Sequence, residues 1–283
     1  MRQGQRSGFL VYRCSCGCPQ GTKLGPILWL FYVNDLVVPN FNVVKYADDT
    51  IFYKASNESA PAILTTQSWS SSNSMTLNTE KTAVVNVRLS NQLHLEEPIV
   101  VDNGSSILPA NVVKFLGIFI DDRLTFNHHV DKLISRVNYM LHILRHLKTQ
   151  GLDQNGLRKF YCSNIRPVLT YAAPAWFFLL SGTNKQRLEN VQRAATRTIL
   201  PDIGYEGRLE VLKLPKLQDF IFDTSFRAFQ KIANDIKHPL NHRVLVNSAR
   251  TSSRLKTKYC PTVPRTEKRA RFFFSFFMSH CNK

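Results

Sequence analysis

No run of this sequence approaches the roughly 18–20 consecutive apolar residues that a membrane-spanning helix needs. The longest candidates, residues 27–33 and 272–278, are far shorter, so no membrane partner is expected. The first ten residues are polar and basic and lack the apolar segment of a secretory signal. An intracellular location, nucleus or cytoplasm, is therefore expected rather than secretion. Cysteine is sparse, at positions 14, 16, 18, 162, 260 and 281, and without a secretory route disulfides are not expected. The cluster Cys14-x-Cys16-x-Cys18 is spaced more tightly than the usual zinc-ligand pairs and has no His nearby. Alternate residues of a strand share one face, so buried free thiols are the better reading. Acidic residues are also few: 20 Asp and Glu stand against 37 Lys and Arg, a formal charge of +17. That balance favours a polyanionic partner, nucleic acid first and an anionic surface second.

What is present is a capacity to fold. Apolar residues make up 43% of 283 positions, enough for one large domain or two ordinary ones and against general disorder. Residues 8–14 read as a short strand and residues 17–21 as a loop. Gly25-Pro26 then opens a helix to about Leu36, proline being suited to a first turn. This helix is apolar nearly all round (Ile27, Leu28, Leu30, Phe31, Val33), which predicts burial. A Ser-rich helix with Trp69 covers residues 60–74, and strands cover 82–87 and 113–120. Beyond Phe126 apolar residues recur at helical spacing: Val130, Leu133, Val137, Leu141 and Leu144, then Leu188, Val191, Ala195 and Ile199. Residues 156–180 are helical in part, with breaks at Pro167 and Pro174, and a last helix spans 217–236. The tail after Pro239 shows no strong periodicity. Residues 243–271 hold nine basic residues and one acid, Glu267. Such a run is a solvated tail or, on a nucleic-acid enzyme, a phosphate-neutralising arm.

The chemistry concentrates at Tyr46-Ala47-Asp48-Asp49. These residues lie between Val43-Val44 and Thr50-Ile51-Phe52-Tyr53, the pattern of a hairpin tip. Two adjacent carboxylates there can hold divalent cations. Asp is also common in ordinary turns, because its side chain bonds nearby backbone. The chain carries its own control, Ile118-Phe-Ile-Asp121-Asp122-Arg-Leu-Thr-Phe126, and pattern alone does not separate the two pairs.

The order of motifs does. Gly17-Cys18-Pro19-Gln20-Gly21-Thr22-Lys23-Leu24-Gly25-Pro26 leads into the apolar helix ending Val33-Asn34-Asp35-Leu36. Tyr46-Ala47-Asp48-Asp49-Thr50 follows, then Trp69, Asn73, Met75, Leu77-Asn78 and Lys81-Thr82, then Phe115-Leu116-Gly117 with Asp121 and Leu124-Thr125-Phe126. Downstream stand Tyr171-Ala-Ala-Pro-Ala-Trp176 and Leu188-Glu-Asn-Val-Gln192-Arg-Ala-Ala-Thr-Arg197. From about residue 15 to 235 this resembles the reverse transcriptases of non-long-terminal-repeat (LINE-type) retrotransposons. The resemblance implies an α+β fold. A partial reverse-transcriptase palm, an antiparallel β-hairpin with packing helices, covers 1–127. A helical thumb and post-polymerase region covers 128–238, and a basic tail covers 239–283.

It also implies roles. Asp48 and Asp49 would be catalytic and metal-ligating, holding Mg2+ in a two-metal site. Lys81 matches the family's basic residue that protonates departing pyrophosphate. Gln20 and Gly21, in the Pro-Gln-Gly turn, and Tyr46 would meet the incoming dNTP or template, with Gly17 and Gly21 allowing close backbone approach. Phe115-Leu116-Gly117 would grip the primer strand. The partners implied are an RNA template, a DNA primer and dNTP. Asp121-Asp122 becomes a structural turn leading into the thumb.

One departure matters. The family carries a further Asp on a strand well upstream of the Pro-Gln-Gly turn, bridging both metals. Only sixteen residues precede Gly17 here, and none is Asp or Glu. The expectation is a truncated polymerase, inactive alone, with an exposed sheet edge and part of the apolar helix uncovered. Two alternatives stand beside it. One is a non-catalytic nucleic-acid-binding remnant of the same ancestry. The other is an unrelated basic interaction protein inserting Phe272 to Phe277 into anionic membranes.

Overall fold

The computed structural model describes residues 21–55, 60–88, 98–100, 106–244 and 272–281. Gln20, the three clustered cysteines, the strand expected at 8–14 and most of the basic run lie outside these. The chain forms two compact units: residues 1–86 with 94–109, and residues 87–93 with 110–283.

The first unit contains α1 (Leu24–Val33), the antiparallel ribbon β1 (Asn42–Tyr46) and β2 (Asp49–Tyr53), α2 (Ala60–Ser72), and the short ribbon β3 (Ile99–Val100) and β4 (Ser106–Ile107). The start of α1 is set by Thr22, whose hydroxyl accepts from the Gly25 amide at 3.2 Å. Pro26 falls in the first turn, where its missing N–H costs nothing. The burial expected for α1 is not what is found. Val33 is its single buried residue, whereas Leu24, Ile27, Leu28 and Leu30 are about half exposed and Phe31 is 77% exposed. A helix apolar on every side needs cover on every side, and the hydrogen bonds that tie this one to its unit come through Trp29, Tyr32 and Val33. The strand expected at 82–87 reduces to a single parallel bridge between Val84 and Pro109, because no described strand runs beside it to continue a ladder. This unit's core is small: Ile63, Ile99 and Ile107, with Ala60, Leu77 and Val84 against them.

The second unit is built on helices. The ribbon β5 (Val112–Phe115) and β6 (Ile118–Asp121) replaces the single strand expected at 113–120. Helices α3 (Asn127–Thr149), α4 (Gln154–Phe160), α5 (Arg166–Thr170), α6 (Gly182–Ile199), α7 (Tyr205–Leu212), α8 (Leu217–Asn234) and α9 (Phe273–Cys281) follow. The rows read from the sequence on α3 and α6 are all buried. Pro167 does not break the chain as expected. A π turn over Tyr161–Ile165 precedes α5, and there the Arg166 amide reaches five residues back to the Tyr161 carbonyl. Widening the ladder just upstream accommodates the missing proline N–H and the bulk of its ring. The tail is not featureless either. α9 lays Phe276 and Phe277 on Phe178, Phe222 and Phe226, with ring centroids 4.8–6.3 Å apart, and Phe277 also stacks on Phe229 at 5.6 Å. Phe277 is fully buried. These rings are core, which removes the footing of the membrane-insertion alternative. Among the described residues no helix is long and apolar enough to cross a membrane.

Candidate functional site

The β1–β2 ribbon pairs Asn42 with Tyr53 through to Tyr46 with Asp49, leaving Ala47 and Asp48 as a two-residue loop. Ala47 has φ +52°. Two-residue hairpins favour a positive φ at their first loop position because it matches the twist of the strands. Glycine usually supplies it, so an alanine there is strained.

Two contacts from α1 hold the ribbon. The Trp29 indole N–H donates to the Ala47 carbonyl at 2.7 Å, pinning the tip. The Lys45 ammonium donates to the Val33 and Asn34 carbonyls at 2.6 and 3.1 Å. There it meets the negative end of the helix dipole. Partial burial lowers the Lys45 pKa below its ordinary value, with Asp35 opposing. Behind α1, the Tyr32 hydroxyl donates to the Asn73 carbonyl, and the Trp69 indole donates to Asp35 at 3.1 Å. Trp29, Tyr32 and Trp69 form a run of rings with centroids 6.2 and 6.0 Å apart. Tip, α1 and α2 are thus tied in series. A hollow of about 480 Å³ opens between α1 and the tip, lined by Gly25, Pro26, Trp29, Leu30, Ala47 and Asp48.

Asp48 and Asp49 are exposed, and neither carboxylate hydrogen-bonds or ion-pairs with any described residue. The control pair differs. Asp121 is 8% exposed, and its carboxylate accepts from the amides of Arg123 (3.1 Å), Thr125 (2.9 Å) and Phe126 (2.6 Å). Asp122 pairs with Arg88 at 3.3 Å. The second pair spends its oxygens on building the turn into α3, and the first leaves them open.

The other predicted residues fall as follows. Gly21 is exposed in the turn before α1 at φ +80°, which favours glycine. Tyr46 ends β1 and is 63% exposed. Lys81 sits in a turn closed by Asn78, which accepts from the Lys81 amide. Its ammonium is exposed and meets no described partner. Phe115, Leu116 and Gly117 belong to the second unit, and the last two are the loop of the β5–β6 ribbon, at φ +44° and +84°. Sequence reasoning missed Trp29 and Lys45 as supports of the tip. The signal Trp29 offered was an indole N–H that needs an acceptor when packed.

Among the described residues no group of three or more His, Cys, Asp or Glu is placed to hold a metal. The two free carboxylates of the tip are hard oxygen donors. That set suits Mg2+, which is commonly held by one or two carboxylates plus substrate phosphates.

Comparison with known proteins finds one family and several relatives. Residues 5–120 match the family described as reverse transcriptase (RNA-dependent DNA polymerase). The chain is 30% identical over 186 residues to the retrovirus-related Pol polyprotein from the type-1 retrotransposable element R1 of Bradysia coprophila, covering 61% of this chain and 18% of that one. It is 27% identical over 267 residues to the RNA-directed DNA polymerase from mobile element jockey of Drosophila funebris, covering 84% and 28%. To the probable RNA-directed DNA polymerase from transposon BS of Drosophila melanogaster it is 28% identical over 201 residues, covering 65% and 22%. It therefore spans less than a third of the length of each. No solved structure matches it significantly. The motifs from the Pro-Gln-Gly turn onward thus sit where residues 5–120 match the reverse-transcriptase family, and the relatives that the chain resembles are polymerases of non-LTR retrotransposons.

Proposed function

We propose that this chain supplies part of the centre and the nucleic-acid-holding region of an RNA-directed DNA polymerase. The observation that carries the reading is the hairpin tip, pinned by Trp29 and Lys45, whose two carboxylates are left free, with Asp48 lining a hollow. Residues 1–127 act as palm, 128–238 as thumb and connection, and 239–283 as a basic arm on phosphates. Asp48 and Asp49 would hold the divalent ions. Mg2+ held there would neutralise charge on the nucleotide phosphates as a primer 3′-hydroxyl bonds to the α-phosphorus and the bond to pyrophosphate breaks. Tyr46 borders the nucleotide at the end of β1, and Gln20 and Gly21 meet nucleotide or template. Lys81, exposed and without a described partner, gives a proton to the pyrophosphate. Phe115, Leu116 and Gly117 touch the primer strand.

These 283 residues alone do not extend a primer. Two carboxylates lack the bridging ligand of the family's metal pair, and loss of one member of a constellation that acts as a unit abolishes most of its rate enhancement. The purified chain is expected to broaden the NMR resonances of Asp48 and Asp49 on titration with Mn2+, an effect lost in Asp48→Ala. On an RNA template with a DNA primer it is expected to incorporate no nucleotide. Absence of site-specific broadening sinks the metal assignment. Incorporation that disappears in Asp48→Ala sinks the assignment of inactivity.

A further inference from the structure

Tyr171 is 53% exposed, yet its hydroxyl is committed. It donates to the Leu116 carbonyl at 2.9 Å across 55 residues of sequence. That carbonyl belongs to a turn with an internal problem. Leu116 and Gly117 are both left-handed, at φ +44° and +84°. Two positive φ values define the I′ hairpin turn, for which Asn-Gly is the favoured pair. A leucine in the first position is strained, so the turn gains from an outside hold. The ring contributes as well: a Cβ on Gly117 would stand 3.4 Å from Tyr171 Cε1.

Tyr171 is itself fixed. Its carbonyl accepts from the Trp176 indole at 3.0 Å, and Trp176 is fully buried. Trp176 packs edge-on against His129, centroids 4.9 Å apart. His129 Nδ1 accepts from the Phe119 amide at 3.4 Å, on the strand leaving the turn. The circuit runs from β6 through α3 and Trp176 to Tyr171 and back to the turn, all within one unit. A half-exposed phenol that fills no core and spends its hydroxyl on a strained turn is there for the shape of that turn.

We propose that Tyr171 is a positioning residue, holding the Leu116–Gly117 turn in the conformation in which it meets the primer strand. The proposal rests on the reading of that turn as a nucleic-acid contact. The test uses the full chain, an RNA–DNA primer–template duplex followed by fluorescence anisotropy, and amide exchange at Gly117 and Ile118 followed by NMR. Tyr171→Phe removes the hydroxyl and keeps the ring. It is expected to speed exchange at both amides about fivefold and to weaken duplex binding by a similar factor, the scale of one neutral hydrogen bond. In a Leu116→Asn background, where the turn tolerates its own φ, the same change is expected to cost less than about twofold, a coupling that simple loss of stability does not produce. Unchanged exchange in Tyr171→Phe overturns the proposal. So does faster exchange with unchanged binding while Gly117→Ala weakens binding, or an equal loss in both backgrounds. If Gly117→Ala and Leu116→Asn both leave binding unchanged, the reading of the turn fails instead, and the proposal falls with it.

Discussion

At the scale of single residues, the two Asp-Asp pairs carry the lesson. Their local sequences are alike, and what separates them is the path of the chain afterwards. Asp121 is enclosed by the amides of Arg123, Thr125 and Phe126, a closure that no pattern of residue types announces. The order of neighbouring motifs is what singled out Asp48-Asp49 as the candidate, because it draws on long-range context. The left-handed Ala47 was not legible, since glycine is the usual sign of such a position. Ala47→Gly is expected to stabilise the β1–β2 ribbon by about 0.5–1 kcal/mol, read as slower amide exchange in its strands. His129 is buried, 1% exposed, and its pKa is lowered from 6.5 to about 4, first by desolvation and second by the charge of His128. The unfolded chain therefore binds a proton before the folded one does. The stability tied to neutral His129 is full above about pH 6.5 and is lost as pH falls through about 4, up to about 3 kcal/mol in all. Urea unfolding of the second unit is expected to show this loss between about pH 6.5 and 4. His129→Gln, which keeps an acceptor for the Phe119 amide, is expected to flatten it.

At the scale of elements, α6 is the hub of the helical unit. Glu189, 3% exposed, accepts from the Tyr205 hydroxyl on α7 and from the Leu217 and Gln218 amides, each at 3.3 Å, at the start of α8. One turn on, Gln192 accepts from the Tyr161 hydroxyl in the π turn. It donates to Tyr205 at 3.1 Å and to the Pro215 carbonyl at 2.9 Å. Burial pushes both phenols well above their ordinary pKa, and Glu189 adds to the shift at Tyr205. The carboxylate sits at the positive end of α8, where a negative charge is favoured. Glu189→Leu leaves two amides and a phenol without their acceptor, and is expected to lower unfolding stability by about 3 kcal/mol. The sign to look for is a fall in the urea midpoint without a change in slope. The apolar rows of α3 and α6 were legible because burial on one face imposes a helical period. The π turn was not, because Pro167 signals an obstacle and not how the helix passes it. α9 was hidden because it is nine residues long, too short for the helical spacing of Phe273, Phe276 and Phe277 to stand out.

At the scale of the whole molecule, the two units differ in how much they bury. The helical unit has one continuous core running from Phe126 to Met278, whereas the first unit's core centres on three isoleucines. Stability in such a chain is not uniform. Two unfolding transitions are expected by calorimetry, the weaker belonging to the first unit. Ile63→Ala is expected to lower or erase the first and Phe277→Ala to lower the second, the latter by about 3–5 kcal/mol for a buried Phe. A single transition moved equally by both changes contradicts this division. The bare face of α1 has a further consequence. Leu24, Ile27, Leu28 and Phe31 form, on the outside of a folded unit, the kind of surface that quality control reads as unfinished protein. Inside a cell, the same helix that holds the Asp48 tip in place would then set how long that tip persists, through capture by chaperones and clearance by proteases.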